Sequence, residues 1–176
     1  MTVLITGATG LIGRSLTQSL VDSGLQTRVV TRRPHRALEV FDSRVTAFEW
    51  HPRTEPLPPP ALDGVERVIH LMGEPLYGPL TRAKRAQIVA SRRIGTKRLI
   101  EALGRKRVHL IVASSAAVYG ENGVELLTEE TPTTPTSPYG ETKLIGEWMI
   151  RDQARATSLS YASLRYFNVA GAGEPA

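Results

Sequence analysis

Near its amino terminus the chain runs an apolar strand, Val3-Leu4-Ile5-Thr6, straight into three glycines, Gly7, Gly10 and Gly13. The last two overlap a helical pattern in which Leu11, Ile12, Leu16 and Leu20 recur, and Gly24 follows where such a helix would stop. Each glycine has a physical task. Gly7 permits the sharp strand-to-helix turn, Gly10 lets the backbone approach phosphate oxygens, and Gly13 lets the helix pack tightly on the strand. The free amide groups and the positive dipole end of the helix then face an anion. The spacing is G-x-x-G-x-x-G, and it predicts a pyrophosphate cradle formed by Gly7, Thr9, Gly10, Leu11, Ile12 and Gly13.

Downstream, short runs rich in β-branched residues alternate with helical patterns. This predicts an α/β protein, a doubly wound parallel sheet (a Rossmann fold) with helices on both faces. Strands are expected near Val3–Thr6, Thr27–Val30, Val45–Phe48, Arg67–Leu71, His109–Ala113 and Tyr161–Arg165, and helices near Leu11–Ser23, Arg36–Phe41, Arg82–Leu103 and Pro138–Arg155. The five prolines of Pro52–Pro60 forbid a regular helix there, so the third crossover is expected to be an irregular surface loop. At 176 residues the chain fits one NAD(P)-binding domain spanning residues 1–176.

The chain has no cysteine, which excludes disulfides, thiolate metal sites and a cysteine nucleophile. It shows no basic-then-apolar leader and no apolar segment of bilayer length, so the expectation is a cytoplasmic protein with no membrane partner. The net charge of +5 is concentrated between Arg82 and Arg107, where Glu101 is the sole acid. Those basic residues are interleaved with Ile88, Val89, Ile94, Leu99, Ile100 and Leu103 and have no aromatic residues among them. The pattern reads as a solvated helix face and not as a nucleic-acid interface.

In such a sheet, ligands lie outside the carboxyl ends of the strands. After the second strand come Thr31, Arg32 and Arg33, where an acid would receive an adenosine ribose 2′-hydroxyl. Two guanidiniums suit a 2′-phosphate instead, so NADP is favoured over NAD. Leu71 closes the fourth strand with Met72 and Gly73 after it, on the cofactor's path, and Ser114 and Ser115 follow the fifth. Ser137 and Pro138 then open a helix that places Tyr139 and Lys143 on one face. An ammonium beside a phenol favours the phenolate, so Tyr139 can exchange a proton with a substrate oxygen that a serine hydroxyl holds. The histidines lack metal-like spacing, no metal is expected, and the loop acids Glu129 and Glu130 read as solvated.

These segments together resemble the extended short-chain dehydrogenase/reductase family, in its NAD(P)-dependent epimerase/dehydratase group. The resemblance rests on Thr6–Gly13, Val68–Leu71, Ser114–Gly120, Ser137–Lys143 and Leu164–Asn168. It implies that Ser115, Tyr139 and Lys143 form the catalytic set, with Lys143 also holding the nicotinamide ribose. It also implies that the backbone near Tyr166 and Phe167 approaches the nicotinamide, and that Ser115 and Asn168 meet a nucleotide-sugar substrate. In that family, subunits often pair through the two long crossover helices, here Arg82–Leu103 and Pro138–Arg155, which implies a homodimer.

Three features depart from the family pattern. Ala116 and Ala117 stand where sugar-nucleotide dehydratases carry acidic residues, which disfavours elimination of water. Arg92 replaces a structural asparagine, and the sequence stops at Ala176, where family members continue into a substrate-closing region. The expectation is therefore the cofactor half of an epimerase that works by transient hydride transfer. An NADPH-dependent carbonyl reductase and a nucleotide-binding module without catalysis remain as alternatives.

Overall fold

In a computed structural model of the chain, the described residues are all but 80, 105, 122, 124–125 and 169–176. Six strands form one parallel sheet: β1 (Thr2–Thr6), β2 (Gln26–Thr31), β3 (Thr46–Glu49), β4 (Arg67–His70), β5 (His109–Ala113) and β6 (Ser160–Leu164), in the order β3-β2-β1-β4-β5-β6. The helices are α1 (Leu11–Asp22), α2 (Pro34–Val40), α3 (Arg82–Leu103) and α4 (Pro138–Ala156). Strand order reverses between β1 and β4, the switch point where open α/β sheets bind ligands.

Alternation along β1 divides the core in two. Val3 and Ile5 point to one face and join Val29, Phe41, Val45 and Ile69, with Leu16 and Leu20 of α1 packed against them. Leu4 points to the other and joins Val68, Leu99, Leu103, Leu110 and Ile150 beneath α3 and α4. Burial on both faces explains the continuous apolar run Val3-Leu4-Ile5 of the central strand β1, whereas the edge strands β3 and β6 carry exposed polar residues. The predicted elements all appear: His109–Ala113 and Arg82–Leu103 keep their expected bounds, and the other ends shift by at most two residues. Pro34 takes a first-turn position of α2, where its fixed φ and missing amide cost nothing, so that helix starts two residues before the sequence expectation.

The third crossover contains no α-helix. Trp50, fully buried, donates from Nε1 to the carbonyl of Glu55 (3.1 Å), and Leu57, Ala61, Leu62 and Val65 fill the space where a helix would lie. Proline content thus correctly excluded an α-helix, but the segment also holds a 3-10 turn, Pro59–Leu62, that the sequence pattern did not indicate.

Candidate active site

Every β-strand ends at the same edge, so the residues that follow them converge there. The glycine cradle lies between β1 and α1. Gly7 has φ +77°, and a Cβ on it would meet the carbonyl carbon of Leu71 and the amide of Met72, each at 2.9 Å. A Cβ on Gly13 would collide with the carbonyl oxygen of Gly7, while Gly13 and Thr17 are the residues that α1 buries. Two small residues therefore set how closely α1 lies on the sheet.

Gly10 is the N-cap of α1 and offers no side-chain cap, unlike Thr81 and Ser137, whose hydroxyls accept from the third residue of α3 and α4 at 3.1 Å. The first-turn amides of α1 are open to an outside acceptor. Leu11 and Ile12 beside them are 94% and 56% exposed, an unusual position for large aliphatic residues. An uncapped helix end, apolar residues with no protein cover and a space that side chains would fill together suit a dinucleotide.

Around this edge, Thr31 accepts from the amide of Arg33 (3.2 Å), and both Arg32 and Arg33 are exposed. Thr9, Leu71 and Met72 are half-buried, and Gly73 is exposed beside the Arg92 guanidinium. Tyr166, Phe167 and Asn168 follow β6 on the surface. His70 ends β4 but does not face solvent. It is clamped between the hydroxyls of Thr6 (Nδ1, 2.7 Å) and Thr96 (Nε2, 3.0 Å), and burial, aided by the charge of Lys143, lowers it to about 3. A neutral, doubly bonded histidine is a structural pin. Among the described residues no His, Asp and Glu side chains group as a metal site.

The predicted catalytic set converges at β5 and α4. Ser114 receives the β6 backbone, its amide donating to Leu164 (2.8 Å), and the amide of Ala116 donates to Tyr166 (2.7 Å). Ser115 caps a 3-10 turn, Ala116–Val118, its Oγ accepting from the amide of Ala117 (3.2 Å). Tyr139, in the first turn of α4, is half-buried, and the Lys143 ammonium lies 5.8 Å from the centre of its ring. Lys143 Nζ donates to the carbonyl of Ala113 at the end of β5 (2.6 Å). Burial, and then the charge of Arg92, lower this lysine from 10.5 to about 8, with Glu147 opposing. A cavity of about 20 Å³, enough for one water, lies behind Lys143 between His70, Thr96, Ser114 and Thr142. The larger hollow, about 400 Å³, is at the amino ends of the strands by Glu66, Arg107 and His109, away from this chemistry.

Two partners were not assigned from sequence. Glu147 and Arg165 form an ion pair (2.7 Å) in which Glu147 also accepts from the hydroxyl of Ser114, and Arg165 donates to the phenol oxygen of Tyr119 (2.9 Å) while lying 4.9 Å over its ring. The bond to Glu147 raises the guanidinium further above its ordinary range. This pair ties α4, the end of β5 and the end of β6 into one corner. The available signal was spacing: Tyr139, Lys143 and Glu147 fall four apart on one inward stripe of α4.

The sequence pattern of the NAD dependent epimerase/dehydratase family matches residues 3–176. The chain belongs to that family. It is 35% identical over 179 residues to a UDP-glucose 4-epimerase of Halalkalibacterium halodurans and 31% identical over 175 residues to that of Corynebacterium glutamicum, matching 98% of this chain and 52% of each relative. It thus spans about half the length of these curated relatives. Among solved structures, a UDP-glucose 4-epimerase superposes with a TM-score of 0.81 at 34% identity, covering 98% of this chain and 53% of that one. The UDP-glucuronic acid 4-epimerase from Bacillus cereus, in complex with UDP-glucuronic acid and NAD, gives 0.84 at 27% identity, covering 97% and 58%. The doubly wound fold is that of these epimerases, and no helix among the described residues is long and apolar enough to cross a membrane.

Proposed function

We propose that residues 1–176 hold a nicotinamide dinucleotide and supply the proton-transfer residues for epimerising a nucleotide sugar. The observation that carries this reading is the placement, on one sheet edge, of an uncapped glycine-rich helix mouth and a Ser115–Tyr139–Lys143 corner. The pyrophosphate would rest on the amides of Leu11, Ile12 and Gly13, with Gly7, Thr9 and Gly10 shaping the turn. Leu71, Met72 and Gly73 would flank the cofactor, and Ser114, Tyr166 and Phe167 would border its nicotinamide end. NAD, when bound, supplies a reversible hydride acceptor.

The chain's own residues would then manage the proton and the orientation. Tyr139 Oη takes the proton from the sugar hydroxyl being oxidised and later returns it, so the protein ends unchanged. Ser115 Oγ orients that oxygen, Lys143 holds the cofactor ribose and Asn168 contacts the nucleotide sugar. Ala116 and Ala117, adjacent to Ser115, supply no acid or base for dehydration. The exposed apolar residues Val89 of α3 and Trp148 of α4 support a homodimer through these helices.

In ¹⁵N spectra of the chain titrated with NAD⁺, the amides of Leu11–Gly13 and of Ser115 should shift together and saturate. Unchanged amides at the helix mouth at millimolar NAD⁺ would remove the reading. With substrate, UDP-glucose and UDP-galactose should interconvert without net NADH.

The arginine pair after β2 supports a second reading, an NADPH-dependent carbonyl reductase. It calls for net NADPH oxidation by a carbonyl compound and for tighter NADP⁺ than NAD⁺ binding.

A further inference from the structure

Arg92 reaches the same corner from α3. Its guanidinium carbon is 5.3 Å from the centre of the Tyr139 ring, so this ring has two cations close to it, Arg92 and Lys143. The guanidinium is firmly held. Nη1 donates to the carbonyls of Glu74 (3.1 Å) and Ile88 (3.3 Å), and Gly73 leaves space for Nη2, which a Cβ there would meet at 3.2 Å.

What Arg92 lacks is a carboxylate in contact with it. Among the described residues it makes no salt bridge, its Nε is buried with no hydrogen-bond partner, and Glu74, whose charge acts on it from farther off, has its carboxylate paired with Lys84 at 2.7 Å. Carbonyl oxygens satisfy donors but do not neutralise a half-buried charge, which is costly to leave uncompensated. The remaining charged or titratable groups at this corner offer no free anion. Lys143 is a cation, Glu147 is engaged by Arg165, and His70 is neutral. The group against the guanidinium that can acquire a negative charge is the phenol of Tyr139.

We propose that Arg92 is a second cation of the proton-transfer centre, placed so that negative charge forming on the Tyr139 oxygen completes an ion pair that the resting site lacks. This rests on Tyr139 being the proton carrier. When the phenol O–H bond breaks, its electron pair stays on Oη, the proton passes to solvent or to the substrate oxygen, and the new charge forms in a field fixed beforehand. Arginine suits this task because, although burial lowers Arg92 as well, a guanidinium starts well above the range in which Lys143, lowered to about 8, gives up its own proton. Arg92 is on this account an electrostatic positioning residue, and the site depends on it most when Lys143 is neutral.

The test needs no turnover. The chain is labelled with ¹³C at tyrosine Cζ, the Tyr139 signal is assigned by its loss in Tyr139→Phe, and its ionisation is followed against pH. Arg92→Lys and Arg92→Met have similar bulk with and without charge, so the difference between them reads charge alone. We expect the Met variant to ionise at Tyr139 about one pH unit or more above the Lys variant, a roughly tenfold weaker acid, with equal thermal melting. Should Arg92→Met fail to fold, Arg92→Gln, which can still donate to the two carbonyls, takes its place. Identical Tyr139 midpoints with and without the charge overturn the proposal. Lys143→Gln separates the two ideas: if it moves the midpoint while Arg92 variants do not, Tyr139 remains the proton carrier and Arg92 is ordinary packing. If none of them moves it, both fall.

Discussion

At the mouth of α1 the polar groups on offer are backbone amides, left without a side-chain cap and flanked by exposed Leu11 and Ile12. Around α4 they are charged side chains and capped helix ends, tied by Ser137, Glu147 and Arg165 to one another and to the ends of β5 and β6. The first region is open and formed by the absence of side chains. The second is dense, and it depends on particular charges being present. A site assembled from the two should therefore fail in two different ways, at the cradle through added bulk and at the corner through lost charge.

The largest effect is expected from bulk. A Cβ on Gly13 has no room against the carbonyl of Gly7, so Gly13→Val must push α1 off β1. NAD⁺ affinity measured by calorimetry should drop at least about 100-fold, with destabilisation of about 1–3 kcal/mol in urea unfolding. An affinity within threefold of wild type would mean that the amides of α1 do not hold the cofactor. At the corner, Glu147→Ala leaves Arg165 without its carboxylate and Ser114 without its acceptor. That should cost about 3 kcal/mol in urea unfolding, since stranding one member of a partly buried pair costs more than the pair contributes. A loss under about 1 kcal/mol would show that the pair behaves as a surface contact.

The same contrast explains what could be read from the sequence. The sharp turn into α1 was legible because three glycines at fixed spacing act locally, while the close approach of Leu71 and Met72 that also requires Gly7 is seen only in the fold. The parallel, doubly wound architecture was also accessible, since alternating β–α units admit few right-handed arrangements, whereas the order of the strands came only from the fold. Tyr139 and Lys143 were legible for a similar reason, lying one helical turn apart. Glu147 with Arg165, and Arg92 with Tyr139, were not, because each pair joins different elements, and the side chains meet only once the sheet has brought α3, α4 and the end of β6 together. His70 shows the limit from the other side. Its position at the end of β4 suggests a cofactor contact, but only the fold reveals that Thr6 and Thr96 hold it inward.

His70 also gives the corner's boundary a pH signature that the cradle lacks. In the folded chain it is lowered from 6.5 to about 3 by burial, so the unfolded chain takes up a proton first as the solution is acidified. Its contribution is fully present above pH 6.5 and is lost as pH falls from 6.5 toward 3. Urea unfolding should therefore lose about 2 kcal/mol between pH 6.5 and pH 5 from this group alone. His70→Asn, which can still bond to a threonine hydroxyl, should flatten that part of the curve. An unchanged slope in the variant would place the acid sensitivity elsewhere.

The smallest effect concerns the outer rim of the cradle, where charge is exposed and not buried. Arg32 and Arg33 follow β2 with no carboxylate at that position in the sequence, and both are open to solvent. A guanidinium in such a place gives up little on binding, since water screens it before and after. Arg32→Ala should therefore weaken NADP⁺ by about 1–2 kcal/mol through loss of one charged hydrogen bond, and leave NAD⁺ nearly unchanged, because the 2′-hydroxyl carries no charge to pair. Calorimetry with both nucleotides at low and high salt separates the terms: the NADP⁺ difference should shrink as salt rises. If both nucleotides weaken equally, Arg32 serves the adenosine or the pyrophosphate and carries no selectivity, and the case for a dissociable NADPH reductant loses its support.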